Sequence, residues 1–454
     1  MEKGFPSIMH HGGAEGVTGS CHRYMASADH HVLIDCGLFQ GSDAGPNPLQ
    51  QHQVDFDLTP IKALIVTHVH IDHIGRLPYL MSAGFDAPIY CTPASALLLP
   101  LVIEDALKLG FTRDRRLIRQ FLARVNELLV PVEFNEWRAL PGSLNWQVRF
   151  QRAGHILGSA FVEIDRYDDD LPRPHRTVFS GDLGTLHHGL LPGPTSPERA
   201  DILVIESTYG DRLHEDPVTR TERLKEAVQH ALQNNGTVLI PAFSIGRTQD
   251  ILFELERILA DVAFQPVDVV VDSPLAAKFN SVHRDLLPTW QAEFPHKNVP
   301  RVAQGGRHPL SFEQLITIDS HEQHKKAVAL LASTHRPAIV IAASGMLTGG
   351  RVMNYLTAML EDPVHDLVFV GFQAPGTLGA DIQRAGRGGR VTIDGKPYTV
   401  RMGIYTIGGF SAHADQQDLV RWVDGMAEPP KDIRIVHGVP KAREALRQTL
   451  QRLG

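Results

Sequence analysis

The segment THVHIDHIGR, residues 67–76, places His68, His70, Asp72 and His73 directly behind the apolar run KALIVT. An extended chain alternates its side chains between two faces, so His68 and His70 point the same way. The following residues, IGRLPYLMSAG, have the pattern of a helix that would turn Asp72 and His73 toward the same point. Three imidazoles and a carboxylate at this spacing are costly to bury and useless to an apolar core. As ligands they suit Zn²⁺, with Mn²⁺ or Fe²⁺ as alternatives. The plain alternative is a solvated polar loop.

Further polar residues stand at the ends of short apolar runs: Asp35 in HVLIDCG, His155 in AGHILGSA and Asp182 in FSGDLG. Taken singly, each reads as an ordinary turn residue. In this order around THVHIDHIGR, they make the chain resemble the metallo-β-lactamase superfamily. Glu206 in VIESTYG, His413 in FSAHAD and His437 in IVHGVPKA resemble motifs A, B and C of its β-CASP nucleases. The resemblance covers essentially the whole chain and is nearest to the bacterial and archaeal relatives of the endonuclease subunit of the pre-mRNA cleavage and polyadenylation machinery.

The resemblance implies an α/β fold: a metallo-β-lactamase αββα sandwich with an inserted β-CASP domain built on a parallel, doubly wound sheet. It implies that His68, His70 and His155 hold one metal, that Asp72, His73 and His437 hold another, and that Asp182 bridges them. Histidine at motif C implies RNA rather than DNA. The implied activity is a zinc-dependent endonuclease on single-stranded RNA, leaving 3′-hydroxyl and 5′-phosphate ends, with 5′→3′ exonuclease activity accompanying it. The sequence begins directly in the metallo-β-lactamase region, so no separate KH module is expected.

Chemistry argues for the same partition. Two dications ~3.5–4 Å apart repel each other, so a shared carboxylate between them is needed. Asp72 and Asp182 bring two negative charges against four positive ones, which leaves the pocket attractive to a phosphodiester. Such ions bring the pKa of water toward ~7. The leaving alkoxide needs a general acid, for which imidazole is suited near neutrality. His413 is the candidate, with Glu206 keeping it protonated and oriented. Its alternatives are a further metal ligand or a structural histidine. Asp35 is expected to orient a ligand histidine rather than to bind metal.

The elements that must position these residues are legible as runs. HHVLIDCG, KALIVTH, RTVFSGD and DILVIEST each read as a strand delivering a polar residue at its carboxyl end. From about Tyr209 the pattern becomes continuous β-branched strands alternating with helices, as in GTVLIPAF, PVDVVVDSP and PAIVIAASG. The expected division is 1–208 and 399–454 for the sandwich and 209–398 for the insertion. Within the insertion, the Gly-rich turn AASGMLTGGR offers Ser344, Gly345 and Thr348 as a phosphate cradle, and the resemblance puts this loop at the active-site cleft. PAFSIGRTQD offers Arg247, and GRGG offers Arg387 in a basic stretch. Ordinary helix capping is the plain alternative for the first two, and the first is favoured for function over the second.

Composition sets outer limits. With 454 residues, 43% apolar and 21% charged, the chain is neither disordered nor fibrous. Lys+Arg 44 against Asp+Glu 51 gives −7, so the protein does not coat nucleic acid by bulk charge. RNA affinity is accordingly expected to fall only modestly with salt. Three scattered cysteines, Cys21, Cys36 and Cys91, form no CxxC pair and fit a reducing compartment. No signal pattern and no membrane-length apolar run appears, so a cytoplasmic protein is expected; its oligomeric state is left open, a homodimer being the commonest closed assembly. Two other readings are a small-molecule ester, thioester or lactam hydrolase and a non-catalytic scaffold of an RNA-processing complex.

Overall fold

The computed structural model describes residues 4–186, 190–260, 267–291, 310–374 and 376–452. They form two compact units, residues 1–213 with 412–454 and residues 214–411.

The first unit is a sandwich of two sheets. One runs in the order Ser7–Gly12, Cys21–Ser27, His30–Ile34, Ile61–Ile65, Ile89–Cys91, Leu129–Pro131. The other runs Asp432–Ile435, Ile202–Ile205, His175–Phe179, Ala160–Arg166, Trp146–Arg152, Trp137–Ala139. Alternation sends one face of each strand inward, where Tyr24, Val32, Ile34 and Ile65 of the first sheet meet Trp146, Phe150, Val162 and Phe179 of the second. The outer face of the second sheet is covered too: Phe161, Leu203 and Ile205 pack against Leu419 and Trp422 of the helix Gln416–Asp424 and Leu446 of the helix Pro440–Leu450. Ala160–Arg166 is therefore buried along its full length. Its charged members survive there by pairing, Glu163 with Arg149 at 2.5 Å and Asp165 with Arg176 at 2.7 Å.

Within each sheet the strands that carry chemistry lie side by side and parallel. His30–Ile34 pairs with Ile61–Ile65, so Asp35 and the 67–73 segment emerge together. Ile202–Ile205 lies between His175–Phe179 and Asp432–Ile435, so Asp182, Glu206 and His437 leave at one end. Carboxyl ends of parallel strands are where such sheets place ligands.

The second unit is a parallel sheet in the order Leu315–Thr317, Asp268–Asp272, Ala338–Ala342, Thr237–Pro241, Asp366–Phe369, Gly403–Thr406. Its strands are β-branched and buried, as a sheet covered on both faces requires. The units divide at 213/214 and 411/412, against the expected 208/209 and 398/399. Gly403–Thr406 accounts for the later boundary, because it extends the inserted sheet through Asp366↔Gly403 to Phe369↔Thr406. Residues 209–213 stay with the sandwich through the Tyr209↔Asp415 bridge and the Gln416 N–H bond to the Arg212 carbonyl. Among the described residues, no helix is long and apolar enough to cross a membrane.

Candidate metal centre

Ten residues foreseen from the sequence meet at the carboxyl ends of the sandwich strands, and the structure sorts them. Nε2 of His68 lies 3.1 Å from Nδ1 of His70, which lies 3.1 Å from Nε2 of His155. Asp182 Oδ2 faces this trio, 3.4 Å from His68 and 3.6 Å from His155. The other oxygen of the same carboxylate, Oδ1, lies 3.2 Å from Nε2 of His73 and 3.4 Å from Nε2 of His437. Asp72 Oδ2 completes the second group at 3.9 Å from both imidazoles. One carboxylate is thus divided between two sets of donors.

These donors fit metal ions. A tetrahedral Zn²⁺ site with bonds near 2.0–2.1 Å spaces its ligand atoms about 3.3 Å apart. Buried His73 Nε2 and Asp182 Oδ1 face each other without a hydrogen bond to any described group. Burial lowers the His73 pKa, but the carboxylates of Asp182, Asp35 and Asp72 outweigh it and raise the value well above that of an ordinary histidine. Without an ion, a proton therefore takes the place between these two atoms that a dication would fill. Burial, with the repulsion of neighbouring imidazoles, holds His68 and His155 well below the usual histidine range and His70 near about 4, so all three are neutral and ready to ligate. Burial opposes charge on Asp182 as well, but the imidazoles of His437, His73 and His68 outweigh it and keep the carboxylate ionised.

The ring orientations are imposed from behind. Asp35 accepts from the Thr67 N–H at 2.8 Å and its hydroxyl at 2.7 Å, and its Oδ2 lies 2.8 Å from Nδ1 of His73. The Thr67 hydroxyl sits 3.1 Å from Nδ1 of His68. Asp35 therefore orients one histidine of each group, one directly and one through Thr67, as the sequence suggested for Asp35 but not for Thr67. It reaches them from a left-handed backbone, φ 61°, a conformation Asp tolerates better than most residues. Gly37, close behind, has no room for a side chain, because a Cβ there would overlap the Asp72 carbonyl. Ser20, also unforeseen, places its buried hydroxyl 2.9 Å from Nδ1 of His437. A lone serine carries no signal by which sequence inspection could pick it out.

His413 stands at the rim. Its Nδ1 is 3.2 Å from both oxygens of buried Glu206, and its Nε2 turns toward Asp182 Oδ2 at 3.9 Å. Glu206 is itself pinned by the N–H groups of Leu183 at 2.7 Å and Thr208 at 3.2 Å. Burial pulls the His413 pKa down, but the charges of Glu206 and Asp182 more than offset it and raise it to about 9.

Residues 24–198 match the metallo-beta-lactamase superfamily, 248–382 the Beta-Casp domain, and 397–454 the Zn-dependent metallo-hydrolase RNA specificity domain. Over 444 residues, 98% of this chain and 95% of the relative, it is 36% identical to Ribonuclease TTHA0252 of Thermus thermophilus. The chain belongs to the β-CASP family of the metallo-β-lactamase superfamily. It is also 30% identical to Transcription termination factor FttA of Methanosarcina mazei, over 95% of this chain and 66% of that protein. The RNase J-like protein of Methanocaldococcus jannaschii is 28% identical over 94% of this chain and 91% of its own length.

The remaining candidates lie in the β-CASP unit. Ser344, Gly345 and Thr348 follow the strand Ala338–Ala342, with the Ser344 hydroxyl 3.0 Å from both the N–H and the hydroxyl of Thr348. Arg247 opens the helix Arg247–Leu259 beyond the neighbouring strand, so these four share the carboxyl edge of the sheet. Arg387 does not join them. The N–H of its neighbour Gly388 is accepted by the Val400 carbonyl at 2.7 Å, just ahead of the strand Gly403–Thr406, which puts Arg387 at the amino end of the sheet. Another group of possible ligands, His335, Asp362 and His365, fails on tautomer grounds. Nδ1 of His365 accepts the Thr237 N–H at 2.9 Å, so Nε2 carries the hydrogen and has no lone pair to offer.

Proposed function

We propose that this β-CASP protein is a ribonuclease that hydrolyses phosphodiester bonds of single-stranded RNA with two divalent ions, zinc in the first instance and manganese as the substitute. His68, His70 and His155 would hold one ion, Asp72, His73 and His437 the other, and Asp182 would be shared. Bound there, a dication pair supplies Lewis acidity, activating water and neutralising charge on the phosphoryl oxygens.

The chain's own residues supply the rest. Asp182 keeps the two donor groups in register, while Asp35 and Ser20 fix the rings behind them. Glu206 accepts Nδ1–H of His413 and stabilises the imidazolium, leaving Nε2–H directed toward the centre. From there His413 donates its proton to the departing O3′, the leaving group that the family resemblance implies, as water adds to the phosphorus; the products are a 3′-hydroxyl and a 5′-phosphate. In the β-CASP unit, Ser344, Gly345, Thr348 and Arg247 are the candidates for holding substrate phosphates. The relatives named as a ribonuclease and as RNase J-like support RNA as the substrate, in processing or decay.

The observation that carries this reading is the pair of His413 and buried Glu206, an acid system facing the shared Asp182. Hydrolysis of a thioester or lactam has no comparable need of it. The test is cleavage of end-labelled RNA by wild type, His70→Ala and Asp72→Ala. Wild type should cut and both variants should lose activity; equal cutting by all three defeats the proposal.

A further inference from the structure

In the β-CASP sheet, the chain passes from Thr237–Pro241 to Asp268–Asp272 on one side and from Asp366–Phe369 to Gly403–Thr406 on the other. Thr237–Pro241 and Asp366–Phe369 are neighbours, so a topological switch point of the sheet lies between them. The crevice outside such a point is where open parallel sheets take ligands. Two phenylalanines stand at its two lips, Phe243 at 45% exposure and Phe372 at 38%.

Neither aromatic belongs to a loose loop. The Phe243 carbonyl accepts the N–H of Thr248 at 3.2 Å and its hydroxyl at 2.7 Å. The Phe243 ring lies against Gly345, where an added Cβ would come within 3.1 Å of it. The segment carrying Phe372 is tied down by Gln373, whose Nε2 donates to the carbonyls of Gly345 at 2.9 Å and Gly371 at 3.3 Å. Arg247 reaches across the same crevice, its Nε 3.9 Å from where a Cβ on Gly371 would stand.

A phenyl ring left about half exposed on a hydrogen-bonded loop lies outside the core, yet it offers a flat apolar face. Unpaired bases seek such faces, and every base has a π-surface to match. We infer that this crevice binds single-stranded RNA by stacking bases on Phe243 and Phe372, with Arg247 beside the phosphate between them. The choice of RNA over other flat ligands rests on the ribonuclease reading. Because neither ring offers hydrogen bonds to base edges, the subsite accepts all four bases.

The test is binding without cleavage. The full-length protein is titrated, with chelator present, into a short fluorescein-labelled oligoribonucleotide and into an abasic strand of equal length. Phe243→Ala and Phe372→Ala should each weaken binding of the oligoribonucleotide about tenfold, the value expected for one stacked base, while leaving the abasic strand unaffected. Phe243→Tyr and Phe372→Tyr should bind as wild type does. Unchanged affinity in both alanine variants overturns the inference, and so does equal weakening on both strands, which would mean the loops had been disturbed. Binding is read without turnover, so failure of the ribonuclease reading in the cleavage assay leaves this result independently legible.

Discussion

The hydroxyl of Ser20 touches Nδ1 of His437 at 2.9 Å across 417 positions of chain. Ser20 also donates its N–H to the Asp72 carbonyl at 2.9 Å, and the His437 N–H is accepted by the Gly13 carbonyl at 2.7 Å. A single loop thus holds the backbone behind one ligand of the second group and both backbone and ring of another. A hydrogen bond to Nδ1 selects the tautomer whose Nε2 lone pair faces Asp72 and Asp182.

Ser20→Ala should therefore loosen one metal ion and spare the other. Removal of the partner behind a ligand histidine costs on the order of 10–100-fold in metal affinity. Release into a chromogenic chelator should become biphasic, with one equivalent leaving faster, and Ser20→Thr should restore the slow phase. Uniform release from the alanine variant would show that Ser20 has no such role.

Gly37→Ala should act on the same group from the other side. A methyl at this position overlaps the Asp72 carbonyl, so the turn carrying Asp72 and His73 must shift. Metal content by elemental analysis is expected to fall toward one ion per chain, with lowered thermal stability. Full occupancy would mean that the turn absorbs the methyl.

The acid pair has a distinct signature. His413→Ala should lower the rate of RNA cleavage about 10²–10⁴-fold while metal content stays that of wild type, which separates an acid from a ligand. Since the His413 pKa is raised to about 9, its protonated form persists below that pH, and activity should fall as pH rises through about 9. Glu206→Gln removes the foremost raising partner, so the falling limb should move to lower pH. A limb that stays in place in Glu206→Gln would remove Glu206 from this role.

Stability of the metal-free chain should peak near the ordinary histidine pKa of about 6.5. Burial lowers His10 and His22, takes His11 to about 4 and His70 to about 4, and lowers His68 and His155. The unfolded chain binds these protons more readily, so their contribution is lost as pH falls from about 6.5 toward 4. For His73 and His413 burial is outweighed by carboxylates and the pKa is raised, so theirs is lost as pH climbs above about 6.5. Melting temperatures across pH 4–9 check the sign on each side; a monotonic profile would contradict it.

What the sequence made legible was chemistry that needs unusual residues. THVHIDH announces itself because three imidazoles and a carboxylate at that spacing have few other uses, whereas Asp182 and His437 read singly as ordinary residues and stand out only through their order in the family resemblance. Thr67 and Ser20 were not legible, since hydroxyls are common and only the folded contact distinguishes these two. The place of Arg387 was not legible for a related reason: a basic stretch is visible in one dimension, but which end of the sheet it occupies is not. Gly403–Thr406 reads as a strand in either unit, and only its pairing with Asp366–Phe369 assigns it.

The order in which the ligands are made has a consequence for synthesis. His437 is translated after the whole insertion, whereas His68, His70, Asp72 and His73 are translated before it. A growing polypeptide that has emerged only as far as the second unit holds an unfinished centre. Until His437 follows, Asp72 and His73 lack their third partner, so the second donor group closes only once the insertion has been made.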